Sequence, residues 1–406
     1  MPAIKRLRDL GLAIGEQPAG PTNTIADVPG VRVGHCSLRG PAQEGGRPIH
    51  TGVTAIVPGE GNLFAHPLPA AVDVFNGYGK SAGLMQIRER GQIETPLYLA
   101  GTLSVGRVWD AAATIALEQN PKAISANPVV LECNDGMLSD ARGRHAGEKH
   151  VREALAAASA AAPALGSVGA GSGMKCMGYK GGIGSSSRVV ATRSMGPVVV
   201  GVLSLNNFGG RPHWCRPLGS QPRGCHASPS FGEACVPGRD EHASAKNAEA
   251  WHPHPARRKT DAPRAPSAKD ASPGPDPIGG SIIVVVATSA PLAPSVLRRL
   301  ARRAWAGVAR AGSSFSDTSG DVALAFALPG VSVGGPHGGS GVNGAGCCGD
   351  ELRWQLPTED ANALFAAVAD ATEESIWDCL LAAGDFTAPD GKVTPGFKAE
   401  ELLAAR

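Results

Sequence analysis

Five consecutive β-branched residues, Ile282-Ile283-Val284-Val285-Val286, constrain this chain more than any other feature. Branching at Cβ stiffens the side chain and suits an extended backbone. The run lacks the polar alternation of a strand with one wet face, so it reads as a strand buried on both faces. Just before it stand Gly279, Gly280 and Ser281. Glycine tolerates the distorted backbone in which a hydroxyl attacks the preceding carbonyl. Cleavage between Gly280 and Ser281 would leave Ser281 with both a nucleophilic hydroxyl and an α-amine. An α-amine has an ordinary pKa of about 7.7–8.0, and near neutral pH it serves as general base for its own hydroxyl. Taken alone, the string also describes an ordinary buried strand after a glycine turn, which is the commoner arrangement.

The rest of the chain alternates Val- and Ile-rich segments with alanine-rich ones. Val31 to His35, Gly52 to Val57, Val198 to Leu205 and Val322 to Ala327 read as strands. Val108 to Glu118, Glu148 to Ala162, Pro294 to Ala311 and Asn362 to Leu381 read as helices. In the third helix Leu297, Leu300, Ala304 and Val308 share the apolar side. Arg298, Arg299, Arg302 and Arg303 lie across the other, a face expected to be solvated or salt-bridged. A length of 406 residues allows a full core, and few aromatics with plentiful Gly and Ala suit sheets packed closely under helices. A net charge of +2 gives no nucleic-acid footprint. No apolar run reaches the length of a membrane span, and the charged N-terminal residues have no apolar stretch behind them, so a cytoplasmic protein is expected. Nine cysteines without framework spacing fit reduced thiols.

One region breaks the alternation. Residues 210–280 are dense in proline, charge, Ser and Ala with no apolar period, and read as a disordered insertion or linker. It separates residues 1–209 from residues 281–406. It holds Cys215, Cys225, Cys235, His226, His242, His252 and His254, without the short spacings that preorganise zinc, so no metal is expected. Gly181-Gly182-Ile183-Gly184 followed by three serines suggests a phosphate loop, but Lys180 precedes the glycines, and a tight turn is the expectation. Gly334 to Gly349 reads as a flexible loop with a Cys347-Cys348 pair.

Beyond Ser281, the string Ser319-Gly320-Asp321 leads into a strand. Residues two apart on a strand project from one face, and a carboxylate beside a hydroxyl polarises a proton relay. Asn207 ends another buried strand in an amide, able to donate to a developing oxyanion or to cap a turn. These strings stand in order with Arg8-Asp9-Leu10-Gly11, Ile25-Ala26-Asp27-Val28-Pro29-Gly30, Phe75-Asn76-Gly77-Tyr78-Gly79-Lys80, Glu132-Cys133-Asn134-Asp135-Gly136 and Tyr179-Lys180-Gly181-Gly182. Together they closely resemble the L-aminopeptidase/D-esterase (DmpA-type) family, which includes the β-peptidyl aminopeptidases.

The resemblance implies an α/β fold of N-terminal-nucleophile type, a four-layer αββα sandwich formed as one domain from two chains. The precursor would cut itself between Gly280 and Ser281, giving chains 1–280 and 281–406 that assemble into homo-oligomers. It also implies release of N-terminal residues from small peptides, amides or esters, without metal or organic cofactor, nucleic acid or membrane. Carried over residue by residue, Ser281 is the nucleophile, Ser319 and Asp321 its polar partners, and Asn207 the oxyanion amide. Glu132 is the candidate anchor for the substrate's ammonium group. Two positions depart from the family pattern. Met137 stands where a tyrosine is usual in the substrate site, and Gly101 where an asparagine is usual. Methionine keeps bulk but donates no hydrogen bond. Those departures keep open a catalytically impaired homologue with a binding or structural role. An endo-amidase acting on ω-amino-acid oligomers is a further alternative, weakened by serine instead of threonine at position 281.

Overall fold

The computed structural model describes residues 6–41, 46–209, 280–328 and 352–404. The insertion at 210–279 and the glycine-rich loop at 334–349 lie outside the described residues, as do the cysteines and histidines they contain. The strands run β1 (Val31–Gly40), β2 (Ile49–Pro58), β3 (Leu68–Gly77), β4 (Gln92–Ile93), β5 (Leu97–Gly101), β6 (Val129–Cys133), β7 (Lys175–Cys176), β8 (Tyr179–Lys180), β9 (Gly182–Thr192), β10 (Gly196–Asn207), β11 (Ser281–Thr288) and β12 (Gly320–Ala327). Helices are α1 (Leu84–Arg90), α2 (Val105–Gln119), α3 (Glu148–Ala156), α4 (Pro294–Ala311) and α5 (Thr358–Ala383).

Two sheets organise them. One has the order β1-β2-β5-β6; the other has β4-β3-β12-β11-β10-β9. Strand β11, which carries the β-branched run, lies inside the second sheet, antiparallel to β10 and parallel to β12. Its side chains divide by parity, as a pleated strand requires. Ile282, Val284 and Val286 pack against Leu297 and Leu300 of α4 and Leu364 and Val368 of α5. Ile283, Val285 and Ala287 pack against Val33, Ile56, Leu99 and Leu131 of the other sheet. On that sheet's far side Ala55, Tyr98 and Val130 meet Val108 and Ile115 of α2 and Val151 of α3. Three cores thus separate four layers, the αββα sandwich.

Local differences from the sequence expectations have physical causes. The stretch Gly181 to Ser187 is not a turn; from Gly182 it is the start of β9. Its glycines and serines exist because α5 lies almost against the strand. A Cβ added at Gly184 would sit 1.8 Å from the Ser375 carbonyl oxygen. The three serines are fully buried, and their hydroxyls donate to Val202 O (2.7 Å), Ala371 O (2.6 Å) and Asp27 Oδ2 (2.6 Å). The second predicted helix ends at Ala156, short of Ala162. Ser159 there pairs with Val33 through both backbone groups, drawing the chain onto β1. On α4, Arg302 pairs with Asp73 at 3.0 Å, while Arg299 and Arg303 lie over the Phe365 ring.

Candidate active site

Three adjacent strands start or stop at one edge of the six-stranded sheet, and that coincidence builds the site. Ser281 opens β11, Asn207 closes β10 directly opposite, and Gly320 opens β12 alongside. Directly paired residues of antiparallel strands project from the same face, so the Ser281 and Asn207 side chains are neighbours. Ser281 is buried, and its Oγ accepts a hydrogen bond from the Gly320 backbone N–H at 3.1 Å. Two close backbone approaches frame the hydroxyl. A Cβ at Gly320 would lie 2.6 Å from Gly79 Cα, and one at Gly280 would lie 2.4 Å from the Asn207 carbonyl oxygen.

Asn207 is fixed from both ends of its amide. Its Oδ1 accepts from the Lys175 N–H at 2.9 Å, and its Nδ2 donates to the Asn134 carbonyl at 3.0 Å. Among the described residues no partner takes its second amide hydrogen.

Ser319 and Asp321 are together, as their spacing predicted, with the Ser319 hydroxyl donating to Asp321 Oδ1 at 2.6 Å. The same oxygen accepts the Ile282 backbone N–H at 3.2 Å, and Oδ2 accepts Asn76 Nδ2 at 2.9 Å. Among the described residues neither side chain bonds Ser281 Oγ; Asp321 holds the backbone of the next residue instead. Burial pushes the Asp321 carboxyl above its ordinary pKa, against the pull of its three donors.

Glu132 lies near the end of β6, almost wholly buried. It accepts the Lys80 backbone N–H at 2.6 Å and a very short hydrogen bond from the Thr102 hydroxyl. Burial raises its pKa too. Gly79 connects it to the serine: a Cβ there would meet Glu132 Oε1 at 3.1 Å and Gly320 Cα at 3.3 Å. Met137 is exposed in the turn after Asp135. The space beside Gly101 is filled by Asp135, whose Oδ2 would lie 2.3 Å from an added Cβ and which accepts the Thr51 hydroxyl.

Sequence reasoning gave no role to Asn76, Gly79, Thr102 or the Lys175 N–H. A signal existed for the first two, since Asn76-Gly77-Tyr78-Gly79 puts an amide and two glycines at a strand end. Among the described residues no group of three His, Cys, Asp or Glu side chains is placed to hold a metal ion, and no helix is long and apolar enough to cross a membrane.

Comparison with known proteins identifies the family. Residues 23–394 match Peptidase family S58. The chain is 35% identical to the beta-peptidyl aminopeptidase BapA of Sphingosinicella microcystinivorans, covering 98% of this chain and 91% of that one. A beta-aminopeptidase of Burkholderia sp. superposes with a TM-score of 0.74 at 36% identity, over 99% of this chain and 98% of that one. The L-aminopeptidase D-Ala-esterase/amidase of Ochrobactrum anthropi, described as a prototype for the serine aminopeptidases and a variant of the Ntn hydrolase fold, superposes with a TM-score of 0.74. Its identity is 28%, over 98% of this chain and 97% of that one. The chain belongs to peptidase family S58 and has the N-terminal-nucleophile hydrolase fold.

Proposed function

We propose that this serine aminopeptidase matures by cutting its own Gly280–Ser281 bond and then uses the α-amine of Ser281 as base for the Ser281 hydroxyl. The observation that carries the reading is the meeting of Ser281, Asn207 and the Gly320 N–H at the mouth of three strands. The α-amine takes the hydroxyl proton as Oγ attacks the substrate carbonyl. The free hydrogen of Asn207 Nδ2 and nearby backbone N–H groups receive the oxyanion; losing one such donor costs about 10²–10³ in rate. The amine returns the proton to the leaving group, and water then releases the acyl group. Asp321, with Ser319 and Asn76, holds β11 in register so that Ser281 keeps its position. Glu132 receives the substrate's ammonium group, the charge-assisted pairing that makes the enzyme an aminopeptidase.

The substrates in this reading are small peptides, amides and esters with a free N-terminal amine, including those that begin with a β-residue. The described cysteines, Cys36, Cys133, Cys176 and Cys379, are buried free thiols, which supports residence in the cytoplasm. Homo-oligomers of the paired chains complete the proposal.

Intact mass and a denaturing gel of the wild type beside Ser281→Ala test it. The wild type is expected to give pieces of roughly 28 and 13 kDa, the smaller beginning at Ser281, and the variant to stay whole. Hydrolysis of β-alanyl, L-aminoacyl and D-aminoacyl p-nitroanilides then ranks the substrates. A wild-type chain that stays whole, or one that is cut without Ser281, overturns the reading.

A further inference from the structure

A second site lies on the outer side of the four-stranded sheet, among β1, β5 and α2. A cavity of about 210 Å³ opens there, lined by Arg32, Leu63, Glu94, Tyr98, Ile115 and Ala116 among others. That is room on the scale of a small organic molecule. Tyr98 and the Gly101–Thr102 corner beside Glu132 are separated by three to four residues of β5, roughly 10–13 Å at a strand's rise. No residue of the serine site lines the cavity.

Two of its polar side chains, Arg32 and Tyr98, have no described partner. Arg32 makes no hydrogen bond or ion pair with any described residue, and its Nε is buried. The buried Nε of Arg188 is also unpaired, but its Nη2 meets the buried Glu374 carboxylate at 2.6 Å, and Arg6 and Arg8 likewise meet buried carboxylates. A buried guanidinium N–H without an acceptor is costly, and Arg32, which lines the cavity, is available to pair with a ligand there. Glu94 does not supply that atom: its oxygens are held by Gln86 Nε2 at 2.9 Å and the Asn127 N–H at 2.7 Å. The Tyr98 ring is buried and its hydroxyl bonds no described residue. Burial also raises its pKa, leaving it a proton donor near neutral pH. Leu63, Ile115 and Ala116 offer apolar surface alongside.

We propose that this cavity binds a small monocarboxylate with an apolar body, its carboxylate on the Arg32 guanidinium and the Tyr98 hydroxyl and its body against Leu63, Ile115 and Ala116. Guanidinium is suited to this task because its planar N–H fork matches a carboxylate. The proposal is independent of the role given to Ser281.

Isothermal titration of phenylacetate into the full-length protein, with phenylacetamide as the neutral counterpart, tests it. Saturable binding of the acid alone is expected. It should weaken about tenfold or more in Arg32→Gln, where the charge-assisted pair is lost, and similarly in Ala116→Leu, where the cavity is filled. Arg32→Gln should keep the wild-type melting temperature, since Arg32 has no described partner to lose. Absence of saturable binding, equal binding of the amide, or binding that both variants leave unchanged overturns the proposal.

Discussion

Glu132 is a carboxylate taken out of water and held by a threonine hydroxyl and a backbone N–H. Burial raises its pKa, so on acidification it becomes neutral sooner than an exposed glutamate. In the proposed role of Glu132, the raised pKa moves the loss of substrate binding to higher pH, and the acid limb of kcat/KM should shift upward with it. Glu132→Gln should remove that limb and raise KM about tenfold or more while kcat changes less, since the lost contact binds substrate and transition state alike. A pH series of kcat/KM on both proteins checks it. Gly101 supports a different kind of prediction. Restoring asparagine there should not improve catalysis, because the Asp135 carboxylate occupies the space. Overpacking of this sort costs about 1–3 kcal/mol, visible as a lower urea midpoint. The placement of Ser281, Asn207, Ser319 and Asp321 was legible in the sequence because strand ends mark them. Asn76 also stands at a strand end, but its partner could not be read there, since its bond to Asp321 spans 245 residues and exists only once β3 pairs with β12.

At the scale of elements, β9 and β10 hold two glycines needed for opposite reasons. Gly184 has no room for a side chain, with the Ser375 carbonyl of α5 1.8 Å from where a Cβ would go. Gly196, the first residue of β10, has open space but a φ of 72°, which L-residues adopt at a cost. Gly196→Ala should lose about 1–2 kcal/mol. Gly184→Ala should lose more, because helix and sheet must move apart. Chemical denaturation of both variants gives the comparison, and equal losses would refute the crowding argument. Here the sequence was misleading. The first half of β9, Gly182 to Ser187, has Ile183 as its one β-branched residue, because its composition answers to the helix above it. Strand β11 was readable for the converse reason: packed at ordinary spacing on both faces, it took the largest β-branched residues that fit.

Across the whole molecule, buried ion pairs join the apolar contacts of Leu7, Leu12 and Ile14 in tying α5 to the N-terminal segment and to β9. Glu374 receives Arg8 at 2.7 Å, Arg188 at 2.6 Å and the Asn23 amide at 2.6 Å, while Arg6 meets Asp378 at 2.6 Å. Burial alone would raise the Glu374 pKa, yet Arg188 and Arg8 hold it below the usual 4.5. A depressed folded-state pKa stabilises above the unfolded value, and the benefit is lost as pH falls through the depressed one. Glu374→Gln should therefore flatten the loss of stability below pH 4.5 and, by stranding the Arg188 charge, cost about 3–5 kcal/mol near neutral pH. Acid titration followed by circular dichroism would show both effects.

The position of β11 carries a consequence for the life of the protein. Its two neighbours in the sheet are β10, which precedes Ser281 in the chain, and β12, which follows it. Under the proposed cut, the tether that delivered β11 to β10 during folding no longer exists in the mature enzyme. Assembly becomes a one-time event. A mature molecule that unfolds must find its other half by collision, and its survival is measured by how slowly it opens.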